Sequence, residues 1–210
     1  MKYAMIATWR MAVEGITSSK EILEKGGTAG DAIENAIKMV EDYPFYKSVG
    51  YGGLPNEDCE VELDAAYMDG DTLDIGAVAG IKDYKNPISI ARKLSKERFN
   101  CFLVGAGAEA YAHKEGFERV NMLTDRAKMH YQKRRKETIE KGLSPYDGPA
   151  WVIILEQPLK IRGAIRKYNR IEIKLGIDIV NLYLFCRPQY LLIITKNKKF
   201  TIMVSYYYFI

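Results

Sequence analysis

The side chains in this 210-residue chain that are best suited to chemistry stand apart from one another. His113 and His130 lie in charged helical stretches with no evident serine or cysteine partner, so they read as surface histidines rather than as the base of a nucleophile pair. Cys59, Cys101 and Cys186 are widely spaced and form no CxxC or Cys/His pattern, so no zinc site is expected. The acidic set Glu57, Asp58, Glu60, Glu62, Asp64, Asp69, Asp71 and Asp74 has the chemistry of a calcium or magnesium site but not the EF-hand spacing. A solvated strand face plus turn residues accounts for most of it. Asp64 is the exception, because it precedes the small pair Ala65-Ala66 in an otherwise bulky strand. Gly105-Ala106-Gly107-Ala108-Glu109-Ala110 fits G-x-G-x-x-A, in which backbone amides at a helix start meet a pyrophosphate. Its strand comes late and no second βαβ unit with a ribose-binding acid follows, so close strand–helix packing is the simpler reading. The run Lys133-Arg134-Arg135-Lys136 has Glu137 and Glu140 beside it, which makes it a solvated helix face.

The elements that must carry these residues alternate between strand and helix. Residues 3–8 predict a short buried first strand, with Trp9 at its carboxyl end, where ligands commonly sit in α/β folds. A helix is expected over Thr17–Lys25, stopped by Gly26-Gly27. Thr28 reads as the N-cap of the next helix with Asp31 completing a capping box. Ile33, Ala36, Ile37 and Val40 give that helix one apolar face, and Pro44 ends it. After the glycine-rich Gly50-Tyr51-Gly52-Gly53, the residues Val61, Leu63 and Ala65 alternate with Glu60, Glu62 and Asp64 as a strand does. Asp69-Gly70-Asp71 supplies a hairpin turn, and residues 74–79 return as a strand ending at Gly80. Its small residues Gly76, Ala77 and Ala79 suit close packing of a helix layer. Helices follow over 87–96, 106–115 and 124–140, with a short buried strand at 102–104.

The totals hide a seam. The chain carries 31 Lys or Arg against 27 Asp or Glu, a formal charge of +4. Residues 151–210 hold ten of the basic and three of the acidic groups, so the rest is net acidic and the body is no candidate for binding nucleic acid. The same stretch has twelve Ile against ten in the preceding 150 residues, and one Ala against seventeen. Strands are conceivable there at 191–195 and 200–204. We therefore expect two parts: 1–148, and a tail 149–210 of different origin, frameshifted or inserted. An odd cysteine count and no export signal fit a reducing, cytoplasmic location. No stretch reaches the length of a clean transmembrane helix.

One ordered set of motifs is more specific than any single feature. Val49-Gly50-Tyr51-Gly52-Gly53 is followed by Leu63-Asp64-Ala65-Ala66-Tyr67-Met68-Asp69-Gly70 and Asp74-Ile75-Gly76-Ala77-Val78-Ala79. Then come Lys85-Asn86-Pro87-Ile88-Ser89-Ile90-Ala91-Arg92 and Leu103-Val104-Gly105. Together with Ala7-Thr8-Trp9 and Gly26-Gly27-Thr28-Ala29-Gly30-Asp31-Ala32, this resembles the glycosylasparaginase family over residues 1–148. These are N-terminal-nucleophile hydrolases that also include isoaspartyl peptidases and related asparaginases. The resemblance implies an α/β fold, specifically the N-terminal portion of a four-layer αββα sandwich, here with an atypical C-terminal tail. It implies hydrolysis of an asparagine side-chain amide, such as the N-acetylglucosaminyl-asparagine linkage. The nucleophile would be a threonine freed by self-cleavage, its own α-amine acting as base. It also implies a small-molecule amide substrate, no cofactor or metal, no nucleic-acid or membrane partner, and a homo-oligomer of cleaved chains.

The resemblance stops where that chemistry should begin. The family's His-Asp-Thr motif is expected just after Asp147-Gly148, where this chain reads Pro149-Ala150-Trp151-Val152. The later threonines are Thr195 and Thr201, and neither follows His-Asp. Of the family's active-site groups, Trp9 alone carries over, as a substrate-pocket wall; a core tryptophan at a strand end is the alternative. The chain as written is expected to be inactive. A non-catalytic interaction protein, with the tail completing or oligomerising the half sandwich, is the second reading.

Overall fold

The computed structural model describes residues 3–7, 9–142, 190–196 and 199–206, the last two stretches as backbone strands. Thr8 and the seam at 148 lie outside the described residues. The chain divides into two compact units, Met1–Tyr131 with Cys186–Ile210, and Gln132–Phe185. Of the second unit, residues 132–142 are described, mostly as the later turns of a helix.

The elements in chain order are β1 (Tyr3–Ala7), a 3-10 turn (Arg10–Ala12), α1 (Val13–Glu24), α2 (Ala29–Glu41), β2 (Glu62–Asp69) and β3 (Ile75–Lys82). They continue with α3 (Pro87–Leu94), β4 (Phe102–Val104), α4 (Ala106–Lys114), α5 (Asp125–Glu140), β5 (Tyr190–Lys196) and β6 (Lys199–Tyr206). The fold is mixed α/β, and the described strands form a six-stranded sheet in the order β1-β5-β6-β2-β3-β4. Neighbours are antiparallel except β3 and β4, which are parallel. The expected strands near 191–195 and 200–204 are present as β5 and β6. They form a hairpin that lies between β1 and β2.

Local chemistry sets the helix limits. The Asp31 N–H donates to the Thr28 hydroxyl at 3.1 Å, and the Thr28 N–H donates to the Asp31 carboxylate at 3.0 Å. This is the expected capping box, and it satisfies two N–H groups that the first turn leaves over. Burial alone would raise the pKa of Asp31, but the Thr28 and Arg92 hydrogen bonds outweigh it and hold the carboxyl below its ordinary value. Ile33, Ala36, Ile37 and Val40 are all buried, as their spacing predicts. Helix α1 starts earlier than Thr17 because the 3-10 turn feeds straight into it at Val13.

The two faces of the sheet have different surroundings. Leu63, Ala65 and Tyr67 of β2 are buried, as are Val78 and Ile81 of β3, and this row packs under the helices in one core with Ile33, Ile88, Ile90 and Leu94. Burying each such large side chain contributes roughly 1.5–3 kcal/mol. At Gly76 a Cβ would collide with the Ala91 carbonyl and the Ser95 amide, so glycine lets α3 sit directly on β3. Ala77 and Ala79, grouped with Gly76 in the expectation, point the other way. They align with Phe102 and Val104 of β4. On β1, Tyr3, Met5 and Ala7 pack against the core, while Ala4 and Ile6 do not.

Three strand expectations change. β1 and β4 are edge strands rather than doubly buried ones, with Ile6 54%, Phe102 59% and Val104 58% exposed. A short apolar run looks the same whether one face or both are covered. β3 runs through Gly80 to Lys82, because β2 stays beside it, pairing Glu62 with Lys82.

Candidate functional site

Backbone register relates the strands that carry the motifs. Ala7 aligns through Leu192 and Met203 with Tyr67. Trp9 follows two residues beyond Ala7 in the chain. Its backbone is extended (φ −125°, ψ 144°), and its carbonyl accepts the Ala12 N–H at 3.1 Å, which starts the 3-10 turn. Trp9 is 43% exposed, so it is not a core tryptophan.

Asp64 lies in the first half of β2, where the β2–β3 register shifts between Leu63 and Ala65. Its carboxylate is 7% exposed and accepts the Gly80 N–H at 2.6 Å. Burial raises its pKa, the Gly80 hydrogen bond opposes this, and the Glu62 charge adds to it. The sequence set Asp64 apart from the solvated acids, and the structure does the same: it fastens β2 to β3 at the irregularity. The other acids do other work. Glu60 pairs with Lys82 at 3.0 Å, Asp74 with Lys96 at 2.9 Å, and Asp69 accepts the Asp71 N–H in the hairpin turn at 2.9 Å.

The glycine pattern after β4 has a backbone cause. A Cβ on Gly105 or Gly107 would meet nothing within 4 Å, so close packing does not explain either glycine. Gly105 has φ +50°, ψ −127°, a conformation that belongs to glycine, and it turns the chain from β4 into α4. The packing is done by Ala108 and Ala112, both 0% exposed. A cavity of about 500 Å³ is lined by Cys59, Glu60, Lys82, Asp83, Arg119 and Asn121. Its charges are mutually paired, Lys82 with Glu60 and Arg119 with Asp83 at 2.9 Å. His113 is exposed on α4, and His130 is half-buried on α5. Lys133 and Lys136 pair with Glu137 and Glu140 one helical turn on, as a solvated face does. No helix among the described residues is long and apolar enough to cross a membrane.

The family described as Asparaginase matches residues 5–150. The chain belongs to the asparaginase family. It is 39% identical over 142 residues to the N(4)-(Beta-N-acetylglucosaminyl)-L-asparaginase of Elizabethkingia miricola, covering 68% of this chain and 42% of that one. It is 40% identical over 141 residues to the plant-type L-asparaginase of Thermococcus kodakarensis, covering 67% and 46%. A third relative, the isoaspartyl peptidase/L-asparaginase of Rattus norvegicus, is 38% identical over 136 residues, covering 63% and 40%. The chain thus spans less than half the length of these curated relatives.

Within this asparaginase-family scaffold, Glu41 is a group that the sequence reading passed over. It is 0% exposed, and its Oε1 has no hydrogen-bond partner. Asn86 reaches both Glu41 Oε2, at 3.4 Å, and Asp42 Oδ1, at 3.0 Å. The Glu41 carbonyl accepts the Tyr51 N–H at 2.7 Å, so one residue joins the end of α2 to the glycine-rich loop and the approach to α3. Burial pushes its pKa well above the ordinary carboxylate value; Asn86 and the Ile88 backbone pull against this, and the charges of Asp42 and Glu34 add to it. The available signal was positional: Glu41 lies four residues after Ile37, on the apolar stripe of α2.

Proposed function

We propose that this chain is a scaffold portion of an amidohydrolase for asparagine side-chain amides, without turnover as the 210-residue chain. The carrying observation is the family match over 5–150, with the exposed Trp9 just after β1 beside it. In this reading Trp9 forms a wall of the substrate pocket. The nucleophile expected from the resemblance is a threonine at a newly formed N-terminus, whose amine takes the hydroxyl proton. Thr195 and Thr201 sit inside β5 and β6, paired in the sheet, and neither follows His-Asp. The helices that pack on one face of the sheet among the described residues are consistent with part of an αββα sandwich, which is the reading proposed here.

The test is an assay of the purified full chain with N-acetylglucosaminyl-asparagine, β-aspartyl dipeptides and asparagine. The expected result is no amide cleavage and one unprocessed band. Turnover accompanied by a new N-terminal threonine would overturn the inactive reading while supporting the amidohydrolase one.

A further inference from the structure

Three segments meet on Glu41: the end of α2, the glycine-rich loop at Gly50-Tyr51 and the approach to α3. The loop lies directly on the Glu41 backbone. The Tyr51 N–H donates to the Glu41 carbonyl at 2.7 Å, and a Cβ on Gly50, whose φ is +59°, would stand 2.0 Å from that oxygen. From the α3 side, the Asn86 side-chain amide donates to Glu41 Oε2 at 3.4 Å and to Asp42 Oδ1 at 3.0 Å. The Glu41 side chain at this junction is fully buried, and its Oε1 has no hydrogen-bond partner among the described residues.

The charges around the carboxyl oppose its ionisation. On α2, Asp42 and Glu34 repel a second negative charge. Lys85, just before α3, pairs with Asp42 at 3.4 Å and lies over the Tyr51 ring at 5.6 Å from its centre. Arg92, on α3, is held by Glu34 and, at 2.7 Å, by Asp31. Tyr51 is the titratable residue of the loop 50–53. A carboxylate in this place would be buried with one long hydrogen bond and no paired cation, which is strongly unfavourable. The loop itself is lightly held. Val49 packs with Val40, Met11 and Tyr46 in a small cluster apart from the main core. Its other holds are the half-buried Tyr51 and the Gly52 N–H on the Met122 carbonyl at 2.9 Å. A segment with so few buried contacts opens at less cost than the core.

We propose that Glu41 is a protonation latch on the glycine-rich loop. With its proton in place, α2, the loop and the start of α3 stay joined. When the proton passes to solvent, the carboxylate moves out to water and residues 49–53 part from α2, while the β2–β3 hairpin and the main core stay folded. The latch stands on the junction and not on the amidohydrolase reading, so either can fail alone.

Hydrogen–deuterium exchange of the full chain from about pH 5 to 9 tests it, each rate being divided by the intrinsic rate of the unfolded peptide at that pH. Opening releases one proton, so protection of the Tyr51 and Gly52 amides should fall by about tenfold per pH unit above the ordinary carboxyl value of 4.5. The β2–β3 hairpin should stay at least about a hundredfold better protected at every pH, as a local opening requires. In Glu41→Gln the protection of Tyr51 and Gly52 should not change with pH. Glu41→Met, which also lacks the carboxyl, should behave alike and serves if the first variant does not fold. Protection of Tyr51 and Gly52 that is flat with pH in the wild type overturns the proposal, and so does a slope that survives in either variant. A loop protected as well as the β2–β3 hairpin also overturns it, because Glu41 would then be freed only by unfolding of the whole.

Discussion

The two faces of one sheet carry similar residues and meet different surroundings. On one, Ile81 and Val78 are 0% and 1% exposed beneath the helices; on the other, Ile75 and Val104 are 47% and 58% exposed. Alternation in β3 places Ile75, Ala77 and Ala79 opposite Gly76 and Val78, so both faces are apolar. A sheet with two apolar faces is made to lie between two layers. The difference between its faces therefore reports which layer is in place and not which residues prefer water.

The contrast can be broken from either side. The largest effect belongs to the covered face: Ile81→Ala leaves a cavity under the helices and should cost about 2–5 kcal/mol in urea unfolding. A cost under 1 kcal/mol would mean that the helix layer does not grip the sheet there. Glu41→Gln tests the covered side through pH. A carboxyl whose pKa is raised in the folded state contributes stability that is whole below its ordinary value of 4.5 and is lost as pH rises through the folded value. The wild type should thus lose ground to Glu41→Gln above about pH 4.5, by up to about 1.4 kcal/mol per pH unit, until the carboxyl ionises in the fold. Paired melts from pH 4 to 9 measure this; parallel curves would place Glu41 in contact with water. The smallest effect belongs to the bare face. Val104→Thr should change monomer stability by less than about 0.5 kcal/mol at low protein concentration. A loss like that of Ile81→Ala would show that the face is already covered within one chain.

What was legible in the sequence was local. The Thr28–Asp31 capping box, the stripe from Ile33 to Val40, Pro87 at a helix start and the Asp69 turn each depend on residues a few positions apart. The family was legible because several such signals occur in order. Layering was not legible, since β1 and β4 read as buried and proved to be edges whose cover no local pattern encodes. The same holds for Glu41, whose burial depends on Asn86 and the loop at Tyr51, and for Gly105, whose reason is a dihedral angle. Trp9 does follow the end of the first strand, β1 ending at Ala7. Its exposure, and the Asp64–Gly80 contact, depend on packing between residues far apart in the sequence.

The strand order also bears on synthesis. β1 is made first, yet its neighbour in the sheet is β5, with Tyr3 opposite Lys196. At about 5–20 residues per second, the first strand leaves the ribosome roughly 10–40 s before its partner exists. Meanwhile the β2–β3 hairpin and the α1–α2 pair close on neighbours already made. An apolar strand left waiting that long has an open edge on which another strand can pair.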